Sequence, residues 1–133
     1  MNDGDRRSKR FGWTSLLAWA LAGLGIEAAL GWKLPWLLDD ELARTLLRLG
    51  HAHGVGLSLV AIAHEALASP LFPADDRRAL RAVQAAAVLV PLGFFGGAFG
   101  HPEGDPSVVV LLVPLGALAL VVGLGRTAQA AWR

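Results

Sequence analysis

The sequence predicts an all-α integral membrane protein, a four-helix bundle with antiparallel up-down topology and both termini in the cytoplasm. Three observations predict it. Apolar residues make up 54% of the 133-residue chain, and 16 glycines raise the combined share to about two-thirds, against roughly half in soluble domains. Four windows, about 13–32, 46–67, 80–100 and 107–125, hold only four of the 23 charged side chains. A soluble helix keeps a polar face along its whole length and cannot sweep its charges to its ends in this way. Each window also matches the roughly 20 residues that carry an α-helix across about 30 Å of hydrocarbon. The length allows one domain: a basic tail over 1–12, a four-span domain over 13–127 and a short tail over 128–133.

The first span, Trp13 to Trp32, follows Arg6, Arg7, Lys9 and Arg10. It is longer than the apolar core of a signal peptide, and no small-x-small cleavage site follows, so it reads as a retained span. The second is the least apolar, with Arg48 and Glu65 as its formal charges, both near its ends where side chains reach the interface. The third follows the run Asp75-Asp76-Arg77-Arg78, and the fourth follows Pro106.

Lys and Arg set the orientation. They crowd the N-terminal tail, the loop between spans two and three, and the C-terminus, whereas the loop His101 to Ser107 carries none. That distribution puts both termini inside and implies a bacterial cytoplasmic (inner) membrane. Trp13, Trp32, Trp36 and Trp132 fall at the expected interfaces, as an aromatic belt would. A net charge of +1 leaves no basic footprint for nucleic acid. The absence of cysteine excludes thiolate metal sites and thiol chemistry, and a lone Met1 excludes a thioether copper site.

Helices in lipid associate through close backbone approach at small residues. Gly50, Gly54 and Ser58 form one such stripe in span two, Gly93/Gly97 and Gly96/Gly100 form pairs in span three, and Gly23 and Gly31 flank Glu27 in span one. The last stripe turns Glu27 toward another helix. Leu89-Val90-Pro91-Leu92-Gly93 recurs as Leu112-Val113-Pro114-Leu115-Gly116. Two prolines at similar depth would kink both helices and open a cavity in the outer half of the bundle.

Ionisable groups inside a span carry a functional hypothesis by default. At 100° per residue His53 and His64 point the same way, about 16 Å apart along the axis, while His51 and His53 diverge by about 160° and do not chelate one ion as an i, i+4 pair does. Topology gathers Glu27, His51, His53 and His101 toward the outer side, with Glu103 and Asp105 beside them. Imidazole and carboxylate at a shared depth suit a divalent metal, and imidazole alone suits a haem axial position. Each group also has a plainer reading. A histidine in a span hydrogen-bonds a neighbouring helix, His64 and Glu65 form a solvated cap at the cytoplasmic end, and His101 to Pro106 is a tight turn.

The stretch Leu49-Gly50-His51-Ala52-His53-Gly54-Val55-Gly56-Leu57 resembles the His-Ala-His signature of a group of small four-helix bacterial membrane proteins. Those proteins in turn look like a fragment of the haem-copper oxidase catalytic subunit. The resemblance implies a haem or metal ligand at His51 or His53. Where that signature continues Asn-Leu-Leu-Gly, this chain has Gly54-Val55-Gly56-Leu57, and oxygen reduction is not implied.

Two functions compete. One is a small membrane protein whose outer His/carboxylate cluster binds haem or a divalent metal as a redox or sensing accessory. The other is a structural or assembly subunit of a larger membrane complex, with no cofactor of its own. Its partners are the lipid bilayer and other membrane proteins or further copies of itself. A proton conduit through Glu27, His53 and His64 ranks below both, because only Ser58 and Gln84 lie between. No nucleophile–base pair, phosphate loop or His-Glu-x-x-His argues for an enzyme: position 68, after His64-Glu65, is Ala68.

Overall fold

A computed structural model describes residues 3–72 and 77–133. Met1 and the acidic half of the charged run, Asp75 and Asp76, lie outside the described residues. Among those described, all regular structure is helical: α1 (Asp3–Gly31), a short α2 (Pro35–Leu38), α3 (Glu41–Ala68), α4 (Arg78–Gly97) and α5 (Leu112–Ala131), with 3-10 turns at Ser69–Leu71 and Val108–Leu111. Four helical segments, Arg6–Gly31, Glu41–Ala68, Arg78–Gly97 and Val108–Ala131, are long and apolar enough to cross a membrane.

The long helices run past their apolar windows because nothing in the flanking sequence breaks them. Arg6, Arg7, Lys9 and Arg10 are good helix formers, and α1 continues through them. Its far end is closed by two bonds, Lys33 N–H to Leu30 O at 3.0 Å and Leu34 N–H to Ala29 O at 3.1 Å. Lys33 sits at φ +54° between them, in the left-handed position that glycine usually fills. Pro35 then starts α2 with φ already set, and Arg44 bonds the last carbonyls of that short helix, Leu37 O at 3.0 Å and Leu38 O. Asp40 caps α3, its Oδ1 accepting Ala43 N–H at 2.8 Å.

Contacts at the glycines give the packing order, α1 on α3, α3 on α4, α4 on α5, each pair antiparallel. From α1 to α3, Gly12 meets Ile62, Gly54 meets Trp19 and Gly23 meets His51. From α3 to α4, Gly50 lies on Pro91 and Phe95. The inner helices are the most enclosed: 44% of the most apolar stretch of α4 is buried, against 11% in α1 and in α5. Phe94 joins the two clusters of the core, one around Leu37, Leu46 and Leu47 and the other around Leu57, Ala87 and Val90.

Three expectations about packing change. The stripe Gly50, Gly54, Ser58 does not serve one neighbour: Gly50 faces α4, whereas Gly54 and Ser58 face α1. Four residues advance a helix by 400°, so a four-residue stripe drifts about 40° per step and leaves one seam for the next. The same drift frees Glu27 and Gly31. Glu27 is exposed, and a side chain added at Gly31 would meet open space. The paired proline kinks also fail to form. Pro91 lies inside α4, but Pro114 falls in the first turn of α5, just after the 3-10 turn, where a missing N–H costs little.

The repeat has a structural meaning instead. Its two copies pack on each other reciprocally, the closing glycine of each against the valine of the other. A Cβ at Gly93 would lie 2.7 Å from Val113 Cγ2 and 2.8 Å from Val113 N, and one at Gly116 would lie 2.7 Å from Val90 Cγ2 and 2.9 Å from Val90 N. The α4–α5 seam is therefore locally two-fold.

Candidate functional site

The histidines divide among four separate seams. At the first, between α1 and α3, the half-buried ring of His51 lies over Gly23, so close that a Cβ at 23 would collide with it. His51 Nδ1 donates to Trp19 O at 2.9 Å. A carbonyl only accepts, so the proton on this ring nitrogen is fixed. Trp19 returns the contact by laying its indole on Gly54. One turn deeper, the fully buried Ser58 donates to Gly54 O at 2.7 Å. That uses its only proton, so Ser15 must donate to Ser58 Oγ across the seam at 2.8 Å. Between α1 and α4, Gln84 donates to Ser8 Oγ at 2.7 Å.

His53 faces α4. Its Nδ1 donates to Leu49 O of its own helix at 2.8 Å, and its ring lies 4.9 Å from that of Phe94. The side chain is exposed. With Nδ1 donating, Nε2 carries the lone pair.

At the other end, His64 and Glu65 are only 7% and 8% exposed, which overturns the solvated cap expected there. Thr127 donates to Gly123 O at 3.0 Å and therefore accepts from His64 Nε2–H at 2.6 Å. His64 stacks on Phe72 at 6.5 Å, and among the described residues no donor reaches its buried Nδ1. Glu65 also has a partner. His64's partners are Thr127, 63 residues away in sequence, and Phe72, and neither belongs to a recognisable pattern.

The fourth seam joins two loops. His101 Nε2 lies 2.9 Å from Asp40 Oδ2, and His101 Nδ1 donates to Pro102 O at 2.9 Å. Both ring nitrogens donate, so the arrangement favours imidazolium. The Pro102 carbonyl is the main cause that raises the His101 pKa above its ordinary value, with the Asp40 charge adding to it against partial burial. Asp40 is held below the usual carboxylate range, first by the Ala43 N–H that it caps and also by His101. Sequence reasoning left Asp40 out, although an Asp just before a long helix is a capping signal.

The expected outer cluster of Glu27, His51, His53 and His101 is thus distributed: Glu27 on an exposed face, His51 on α1, His53 on Phe94, His101 on Asp40. Glu103 and Asp105 are exposed in the turn. Among the described residues no three of His, Asp and Glu come together as a metal-holding group. Comparison with known protein families, curated proteins and solved structures returns no match.

Proposed function

We propose that the chain is a four-span protein of the bacterial cytoplasmic membrane, with both termini inside, that serves as a structural or assembly subunit. Two features support the membrane reading. Leu17, Leu21 and Leu24 of α1 and Leu115, Leu118 and Val121 of α5 are all more than half exposed, an apolar surface far beyond what a soluble monomer presents. The antiparallel order also sends Arg6, Arg7, Lys9, Arg10, Arg78, Arg81 and Arg126 to one end, against Lys33, Arg44 and Arg48 at the other, the bias in Lys and Arg that the positive-inside rule describes.

The subunit reading rests on one observation: the histidines bond within the protein. His51 bonds an α1 carbonyl, His64 a hydroxyl on α5 and His101 a carboxylate and a carbonyl. The first two are the kind of interhelical bond that holds membrane bundles together, the third ties two loops, and all leave the faces of α1 and α5 for lipid or larger partners.

His53 supports a second reading. A histidine that donates Nδ1–H to a backbone carbonyl and presents Nε2 outward has the second-shell arrangement of a metal or haem ligand. It would supply one axial nitrogen at the bundle surface, consistent with the family resemblance of its motif. Absorption spectra and elemental analysis of detergent-purified protein, expressed with haem and metal in excess, separate the two. Colourless, metal-free protein is the expected result. A Soret band lost in His53→Ala, with helicity unchanged, would overturn the subunit reading in favour of haem binding.

A further inference from the structure

An apolar groove of about 200 Å³ lies between α1, α2, α3 and α4 at the end where α2 sits. Ile26 and Leu47 are buried in its floor. Ala22, Gly25 and Ala29 form the α1 wall, and Trp36 and Phe99, both about half exposed, stand at the rim with their rings 6.2 Å apart. The space beside Gly25 shows how open its α1 wall is. A Cβ built on Gly25 meets nothing within 4 Å, although other glycines of the same helix, Gly12 and Gly23, are filled by side chains of α3.

We propose that this groove is a lipid site and holds one acyl chain of an outer-leaflet phospholipid, an inference that rests on the membrane-spanning part of the reading above. The shape selects a chain. From Ala22 to Ala29 the α1 wall rises about 10 Å at 1.5 Å per residue, so the groove of about 200 Å³ is elongated along α1. A helix, about 10 Å across, does not enter it. The volume also falls below the roughly 300 Å³ where drug-sized ligand pockets begin, but exceeds the roughly 150 Å³ that suffices for an apolar guest in a dry cavity.

The chemistry selects hydrocarbon. Apart from the indole N–H of Trp36, the lining carries no polar side chain, so a quinone headgroup would have its carbonyl oxygens unpaired. Water is disfavoured for the same reason. An empty groove would forfeit dispersion contacts on every wall. Trp36 fixes the depth of the mouth: it lies on the interfacial helix α2, two residues beyond Leu34, where indoles prefer the headgroup level. The groove runs from there along the Ala29 to Ala22 stretch of α1, toward the bilayer centre.

Gly25→Leu tests this directly, because leucine projects into the groove, improves helix propensity over glycine, and its Cβ meets nothing within 4 Å. Ala29→Leu is the second filling variant. Val121→Phe, on the exposed face of α5, is the control. Each protein is reconstituted in vesicles of phosphatidylethanolamine and phosphatidylglycerol, extracted into a mild detergent, exchanged extensively and weighed by native mass spectrometry. Wild type and Val121→Phe are expected to retain one phospholipid per chain, and both filling variants to lose it with unchanged circular dichroism. Equal retention in all four proteins, retention by none, or a retained isoprenoid quinone would overturn the proposal. Should one filling variant misfold, the other decides.

A chain-end diazirine phospholipid in the same vesicles gives a second readout. Labelling concentrated on 22–29 and 36 is expected, and equal labelling of the outward face of α5 would mean annular lipid alone and overturn the site. Flotation with the vesicles separates the two levels of failure. A protein that floats but keeps no lipid defeats this site only, and one that does not float defeats the membrane reading.

Discussion

The α1–α3 and α4–α5 seams solve one problem in opposite ways. On the membrane reading proposed above, both bring helices together where burying leucine against leucine gains nothing over lipid. The α4–α5 seam uses shape alone: Gly93 and Gly116 accept Val113 and Val90 in a reciprocal, entirely apolar contact. The α1–α3 seam uses glycine as a socket for polar or amphipathic knobs, His51 in Gly23 and Trp19 in Gly54, and adds hydrogen bonds at Trp19 O and Ser58. Close approach is common to both. The polar bonds are an addition that fixes which residues face each other, because an unpaired imidazole or hydroxyl in lipid is costly and a slipped valine is not.

The largest effect is expected where shape is the only device. Gly116→Leu in the α4–α5 seam must displace Val90 and its backbone, and should cost about 3 kcal/mol, read as unfolding in mixed detergent titrations. The local two-fold predicts more: Gly93→Ala and Gly116→Ala should agree within about 0.5 kcal/mol, a spread typical of equivalent independent sites. Clearly unequal costs would show that the repeat is not energetically symmetric.

In the α1–α3 seam a double-mutant cycle is more informative than any single change. Gly23→Ala alone collides with His51, and His51→Ala alone leaves a hole and loses one bond. Each should cost about 1–2 kcal/mol. Combined, the new methyl enters the vacated space, so the pair should be more stable than the sum by about 1 kcal/mol. Strict additivity would mean that His51 does not occupy the Gly23 socket.

Lys33→Gly tests the end of the same helix. Lysine is held at φ +54° between two closing hydrogen bonds, and glycine at that position should stabilise by about 1 kcal/mol. A loss of stability would mean that the lysine stem contributes more than the left-handed backbone costs.

How much of this was legible in the sequence follows from the physics of each feature. Four long apolar helices were readable because the exclusion of charge from the four windows extends over nearly every residue of each. The importance of Gly93 and Gly116 was visible in the repeat, though its reciprocity required knowing that α4 and α5 are neighbours. The partners of the histidines were not visible. His51 bonds a backbone carbonyl, which leaves no side-chain signal, and His64 and His101 bond residues about sixty positions away. Glu27 was misjudged because a four-residue stripe was treated as straight, when its drift of about 40° per step carries it off the seam.

The smallest expected effect belongs to a contact between the two regions, the His101–Asp40 pair between the loop after α4 and the start of α3. Its sign differs at the two ends of the pH scale. His101 has a raised pKa in the fold, so its contribution is complete below its ordinary value of 6.5 and is lost as pH rises through the higher folded value. Asp40 has a lowered pKa, so its contribution is complete above its ordinary value of 3.8 and is lost as pH falls through the lower folded value. Thermal stability in detergent should therefore reach a plateau between these two ordinary values and decline slightly on either side. His101→Gln should remove the alkaline decline and keep the acid one, because Asp40 still caps α3 through Ala43. Asp40→Asn should weaken both, since it removes the charge that helps hold the imidazolium and reduces the strength of the cap. An alkaline decline that survives in His101→Gln would assign the titration to another group and leave the two seams coupled through the packing of α3 on α4 and the bonds of Gln84 and His64.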